Sequence, residues 1–202
     1  GLVKGASKGE GLGNKFLSHI REVDAIIHLV RCFESDKITH VNSKINPVED
    51  LETIKTEIIL SDLDIIQKKL EKSKKKFLQE KEVKILEGKL KQLNEGKEAN
   101  FNNQLEKNFL STLGLLSIKP KIIVCNVDEG SLANGNIFTE SIKKKNSEEK
   151  IVTICADIED QIMGLDSSER ETFMKEIGLN RTGLNQLIKA GYDLLNLDTF
   201  FT

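Results

Sequence analysis

The sequence predicts an α/β fold: a parallel β-sheet with crossover helices, interrupted by an inserted antiparallel helical hairpin. Three observations predict it. Nearly continuous apolar runs occur at 25–33, 121–126 and 150–156, and the chain between them has helical character. From 47 to 118 charge is dense and apolar residues recur at three- and four-residue steps. Runs of the first kind read as strands buried on both faces. Strands alternating with helical segments build parallel sheets, which bind ligands at the carboxyl ends of their strands.

Taken in order, the chain opens on a glycine-rich segment, Gly1-Leu2-Val3-Lys4-Gly5-Ala6-Ser7-Lys8-Gly9-Glu10-Gly11-Leu12-Gly13-Asn14. Glycine tolerates positive φ and close approach of backbone N–H groups to an anion, so such a loop before a helix suits phosphate. A flexible terminus has the same composition. The segment matches no dinucleotide fingerprint, and Gly-x-x-x-x-Gly-Lys-Ser/Thr does not occur in these 202 residues. Phe16, Leu17 and Ile20 then mark one face of a helix, and Ala25 to Phe33 reads as a strand. His28 within it reads as a strand-face or core residue, and His19 on the preceding helix as structural.

The helical stretch carries Leu51, Ile54, Ile58, Ile65 and Ile66, then Val83, Leu86, Leu90 and Leu93 at coiled-coil spacing, then Leu105, Phe109, Leu113 and Leu116. Breaks fall near Lys74 to Lys76 and near Asn94-Glu95-Gly96. After the last strand, Ser167-Ser168-Glu169-Arg170 fits a capping box opening a helix that stops at Gly178. A final helix from about Thr182 is expected to pack Leu184, Leu187, Ile188, Leu194 and Leu195 in a core.

A formal net charge of −2 and 38% hydrophobic residues fit a chain that buries a sizeable core and has no global field for nucleic acid. Cys32, Cys125 and Cys155 close apolar strands without metal-ligand spacing, so they read as small core hydrophobes in a reducing setting. With no apolar run approaching a membrane span and no visible signal peptide, a cytoplasmic protein without membrane contact is expected.

The strand ends carry the specific information. Val30-Arg31-Cys32-Phe33-Glu34, Asn126-Val127-Asp128-Glu129 and Ala190-Gly191-Tyr192-Asp193-Leu194-Leu195-Asn196-Leu197, together with the glycine-rich opening, resemble the YchF family of Obg-related P-loop NTPases. The resemblance implies a P-loop NTPase, G-domain-like sheet with an inserted coiled-coil arm. By this mapping 1–46 is nucleotide-binding chain with switch II and the following strand. The span 47–118 is the helical coiled-coil insertion, and 119–202 holds the base-specificity loops and C-terminal helices.

Gly1 resembles the last glycine of the Asp-x-x-Gly motif that opens switch II. The resemblance places the motif's Asp, the P-loop and the ligands of magnesium (Mg2+) upstream of residue 1, and a small β-rich TGS domain after residue 202. It implies in-line attack of water on a γ-phosphate with magnesium as a clamp. Leu2 stands where Ras-like enzymes place the water-orienting glutamine and can neither donate nor accept a hydrogen bond. His40, in a polar stretch after the first strand, is therefore the candidate to orient or deprotonate water, the alternative being a surface loop histidine.

Base selectivity is expected in 126–129. Ordinary GTPases have Asn-Lys-x-Asp there, whose Asp binds guanine through two hydrogen bonds. Here Val127 replaces the Lys and Glu129 the Asp, which spoils that fork. The resemblance implies ATP accepted in preference to, or alongside, GTP, with Asn126 orienting the loop, Val127 lining the base pocket and Cys155, Ala156 and Asp157 closing its other side. It also implies association with the ribosome. The lysines at 68, 69, 72, 74, 75, 76, 81 and 84 form a local basic cluster that can neutralise RNA phosphates, with Lys72, Lys74, Lys75 and Lys76 at its centre. A solvated helix face is the plainer reading. A monomeric ATPase is expected of the intact protein, with little or no hydrolysis by these 202 residues alone. The competing reading is a non-catalytic module whose hairpin binds RNA or protein.

Overall fold

The computed structural model describes residues 12–36, 38, 44–73 and 79–200. They form eight α-helices and three strands: α1 Leu12–Glu22, β1 Ile26–Arg31, α2 Pro47–Ser73, α3 Glu80–Asn94, α4 Gln104–Thr112, β2 Lys121–Asn126, α5 Ile137–Lys145, β3 Lys150–Ile154, α6 Ala156–Gly164, α7 Ser167–Glu176 and α8 Gly183–Leu195. The described chain divides into two compact units, one from 1–24 and 52–119 and the other from 25–51 and 120–202.

The sheet unit is the predicted parallel α/β layer. Its strand order is β1-β2-β3, with Ile26 opposite Lys121 and Ile122 opposite Lys150. One face of the sheet presents Val30, Ile123 and Cys125 to the start of α2 and to α5, α6 and α7, through Leu51, Ile142, Ile158, Ile162 and Phe173. On the other face Ile122, Val124 and Val152 pack against Leu187, Ala190 and Leu194 of α8. Gly183 lets the start of α8 approach β3, since a Cβ there would lie 2.7 Å from the Ile154 Cγ2.

β2 is buried on both faces, as its apolar run predicts, but β1 is not. Ile27 and Leu29 are 54% and 59% exposed. Their register partners are Ile122 and Val124, so they lie on the α8 face, and α8 contacts β2 and β3. A strand reads as uniformly buried only when helices cover both its faces. Here α8 lies over β3 and β2 and stops short of the β1 edge. Within α8 the exposed side carries Leu184 and Ile188, each 49% exposed, which corrects their expected place in a core.

The helical unit encloses its own core. Ile59 and Ile66 of α2, Leu86 and Leu93 of α3, Leu110 of α4, and Leu115 and Ile118 after it are buried together. Leu17 of α1 joins Ile58 and Leu116 in a smaller cluster. The break predicted near Lys74 to Lys76 lies outside the described residues; the second falls after α3, with Gly96 at φ 73°. Two expected core residues are exposed instead, Phe16 at 43% and Leu105 at 74%. In α4 the buried side carries Glu106 and Leu110, one position round the helix from Leu105, because Glu106 pairs with a buried Lys89 at 2.7 Å. The cap of α7 is Asp166, one residue before the predicted Ser167. Its carboxylate accepts from the N–H groups of Ser168 and Glu169.

Candidate functional site

The predicted nucleotide-site residues within the described chain, Asn126, Val127, Glu129, Cys155, Ala156 and Asp157, lie at and just past the carboxyl ends of β2 and β3. Asn126 is the last residue of β2 and ties three segments together. Its backbone carbonyl accepts from the Cys32 N–H at 2.7 Å, just past β1. Its side-chain Oδ1 accepts from the Ala156 N–H at 3.0 Å, at the first residue of α6. Next to it the Val127 N–H donates to the Ile154 carbonyl at 2.8 Å. Asn126 and Val127 thus sit beside Cys155, Ala156 and Asp157, the grouping expected from the sequence.

The side chains divide by role. Val127 is 2% exposed and belongs to the core under the sheet, as do Cys32, Cys125 and Cys155. Glu129, Ala156 and Asp157 are exposed. Asp128 is committed to the backbone, accepting from the Ser131 N–H at 2.9 Å and so opening a 3-10 turn over Glu129–Ser131. The exposed rim therefore offers carboxylates, at Glu129 and Asp157, beside main-chain groups. That chemistry suits a ligand edge bearing N–H donors and disfavours a phosphate.

Cys32, Cys125 and Cys155 beneath the site are all buried. The Cys32 thiol is held protonated, its pKa pushed up by a hydrogen bond to Cys125 and then by burial. His28, opposite Ile123, lies on the face of β1 that carries Val30, and burial, reinforced by the Lys121 charge, pulls its pKa down and keeps it neutral. Among the described residues no three His, Cys, Asp or Glu side chains come together as a metal-holding group.

Two further residues shape this end of the sheet. Arg31 closes β1 and donates from Nε to the Phe33 carbonyl at 3.0 Å, from one terminal nitrogen to Ile38 at 2.9 Å and from the other to Ser35 at 3.2 Å. Its guanidinium also lies 4.8 Å from the Phe33 ring centre. Asn136 caps α5 and reaches back to Cys32. The capping role was legible in the Gly135-Asn136 pair before a helical run; the reach to Cys32 has no local signal.

Gly1, Leu2, His40, Lys74, Lys75 and Lys76 lie outside the described residues. Lys72, in the last turn of α2, is exposed. Two neighbours in the basic cluster are paired along their own helices, Lys68 with Asp64 and Lys84 with Glu80, each at 2.7 Å. No helix among the described residues is long and apolar enough to cross a membrane.

Compared with known proteins, the chain is 44% identical over 211 residues to the ribosome-binding ATPase YchF of Escherichia coli O157:H7 and 42% identical over 213 residues to that of Bacillus subtilis (strain 168). It is 43% identical over 215 residues to the ribosome-binding ATPase YchF of Mycoplasma genitalium. Each match takes in 100% of this chain and 58% of the relative, so the chain spans somewhat more than half the length of these relatives. Among solved structures it is similar to the Schizosaccharomyces pombe YchF GTPase, with a TM-score of 0.80 at 29% identity, covering 93% of this chain and 54% of that one. No protein-family model matches the chain.

Proposed function

We propose that this chain, which belongs to the YchF family and carries its P-loop NTPase fold, is the base-selecting part of a ribosome-associated, cytoplasmic ATPase. The observation that carries this reading is the match over the whole chain to relatives described as ribosome-binding ATPases. The clustering of Asn126, Val127 and Glu129 beside Cys155, Ala156 and Asp157 supports a base pocket at the strand ends. The Asn126 bond to the Ala156 N–H holds the two walls together.

In this reading the pocket takes ATP in preference to or alongside GTP. Glu129 stands in place of the aspartate that would pair with guanine, and Val127 supplies no lysine stem. His40 orients the attacking water in place of the glutamine that Leu2 replaces. The lysines at 72, 74, 75 and 76 contact ribosomal RNA through its phosphates.

The test uses the full-length protein beside the 202-residue chain. ATP hydrolysis by the full-length protein and little or none by the shorter chain is expected; brisk turnover by a mass-verified 202-residue chain overturns the division of labour. His40→Ala should slow hydrolysis about a hundredfold, the low end for a positioned acid–base group, with ATP affinity unchanged. An unaltered rate removes His40 from the mechanism. Replacing the four lysines by glutamate should abolish ribosome sedimentation and leave basal turnover intact. Unchanged sedimentation rejects their electrostatic role.

A further inference from the structure

The side chain of Asn136 makes four hydrogen bonds, and they divide into two kinds. Its Oδ1 accepts from the N–H groups of Phe138 and Thr139, both at 3.1 Å, which is ordinary capping of α5. Its Nδ2 donates to the Cys32 carbonyl at 2.7 Å and to the Ser131 Oγ at 3.2 Å, and neither bond is needed by the helix. Cys32 lies just past β1 and Ser131 ends the turn that follows 126–129. The amide therefore links the end of β1 to the far end of the base-side loop.

Cys32 is consequently held on both sides. Its N–H donates to the Asn126 carbonyl at 2.7 Å and its own carbonyl accepts from Asn136. The local backbone is built to deliver this amide. Gly135 adopts φ 73°, a conformation that L side chains rarely take, and a Cβ there would lie 2.6 Å from the Thr139 Oγ1. That hydroxyl in turn accepts from the Asn136 N–H at 2.8 Å. A helix cap alone requires only the acceptor; the two donations are additional.

We propose that Asn136 is a positioning residue for base recognition, fixing the loop 126–131 against the end of β1 so that the base wall keeps one shape. The inference rests on the reading of 126–129 as base-binding. It assigns Asn136 no contact with nucleotide; it acts through the loop it anchors.

Asn136→Asp separates the two functions, because a carboxylate still caps α5 but cannot donate and sets a negative charge against the Cys32 carbonyl. In the full-length protein this variant keeps the cap and should lower the urea midpoint less than Asn136→Ala does. It should weaken ATP about tenfold, the loss expected of one or two hydrogen bonds, and change the ratio of ATP to GTP affinity. Affinity for inorganic tripolyphosphate, which has no base, should stay the same. Asn136→Ala loses the cap as well and should lower the urea midpoint. Unchanged ATP and GTP affinities in Asn136→Asp, or an equal loss for nucleotide and tripolyphosphate, overturn the proposal. Asn126→Ala serves as the control for the underlying reading. If it too leaves nucleotide affinity unchanged, the base-site assignment itself fails; if it alone weakens binding, only the role of Asn136 does.

Discussion

Asp62 shows what one residue does in the helical unit. Fully buried in α2, its carboxylate accepts from the N–H groups of Leu116 and Ser117 at 2.9 and 2.8 Å and from the Ser117 hydroxyl at 2.6 Å, with Arg21 at 3.7 Å. Arg21 also donates to the Gly114 carbonyl at 2.6 Å. Burial raises the pKa of Asp62 in spite of these donors, so the pair is held at a desolvation cost and offset by hydrogen bonding. Asp62→Ala leaves the backbone N–H groups of Leu116 and Ser117 without their acceptor and Arg21 without its counter-charge, and should destabilise the chain by about 3–5 kcal/mol in urea titrations. A loss under 1 kcal/mol would show that water replaces the carboxylate freely. In the sequence Asp62 looks like one more charge in a charged stretch. Its spacing from Ile58 and Ile66 nonetheless puts it on the apolar face, a signal that charge counting hides. By contrast Asn126 and Cys155 were legible from position alone, because the ends of buried parallel strands are where such folds place their sites.

At the scale of elements, α3 and α4 are joined by a buried ion pair that helical periodicity misplaced. Lys89 and Glu106 are 4% and 6% exposed, and Glu106 also accepts from the N–H and the amide nitrogen of Asn102. Burial works to raise the Glu106 pKa, but the hydrogen bond from Lys89 and those from Asn102 outweigh it and hold the pKa below the usual glutamate value. The folded-state pKa is thus depressed. Its contribution to stability is present above the unfolded glutamate pKa, about 4.3, and is lost as pH falls through the folded-state value. Glu106→Gln should therefore lower the urea midpoint at pH 7 and make it fall less steeply between pH 5 and pH 3. Parallel curves for the two proteins over that range would remove Glu106 from the acid limb. The sequence predicted both helices from their period but not which side of α4 faces inward, since an apolar count rejects a charged residue whose partner lies on another helix. β1 failed for a related reason. Its apolar run states that it can be buried on both faces, while the reach of α8 decides how much of it is.

Over the whole molecule, the order of segments follows the predicted one, with a sheet opened by β1, resumed at β2 and separated by helices in between. That much was legible because strand and helix periods differ and because the strand ends carry a recognisable pattern. The sheet unit is discontinuous in the chain, and its first pairing joins Ile26 to Lys121 across the 52–119 segment of the helical unit. For an unfolded chain, closing so long a loop for one strand pair is entropically unfavourable, whereas the helices between are stabilised by near neighbours. Refolding should accordingly run in two stages, helices first and the sheet once their collapse has drawn Leu51 and Pro120 towards each other. In pulse-labelled hydrogen exchange after dilution from urea, amides of α2 and α3 should gain protection before those of β2. Asp62→Ala, a change confined to the helical unit, should delay protection of the sheet. Simultaneous protection of both would mean that β1 finds β2 unaided. An insertion that looks like an interruption in the static structure thus becomes, in time, the clamp that makes the sheet kinetically reachable.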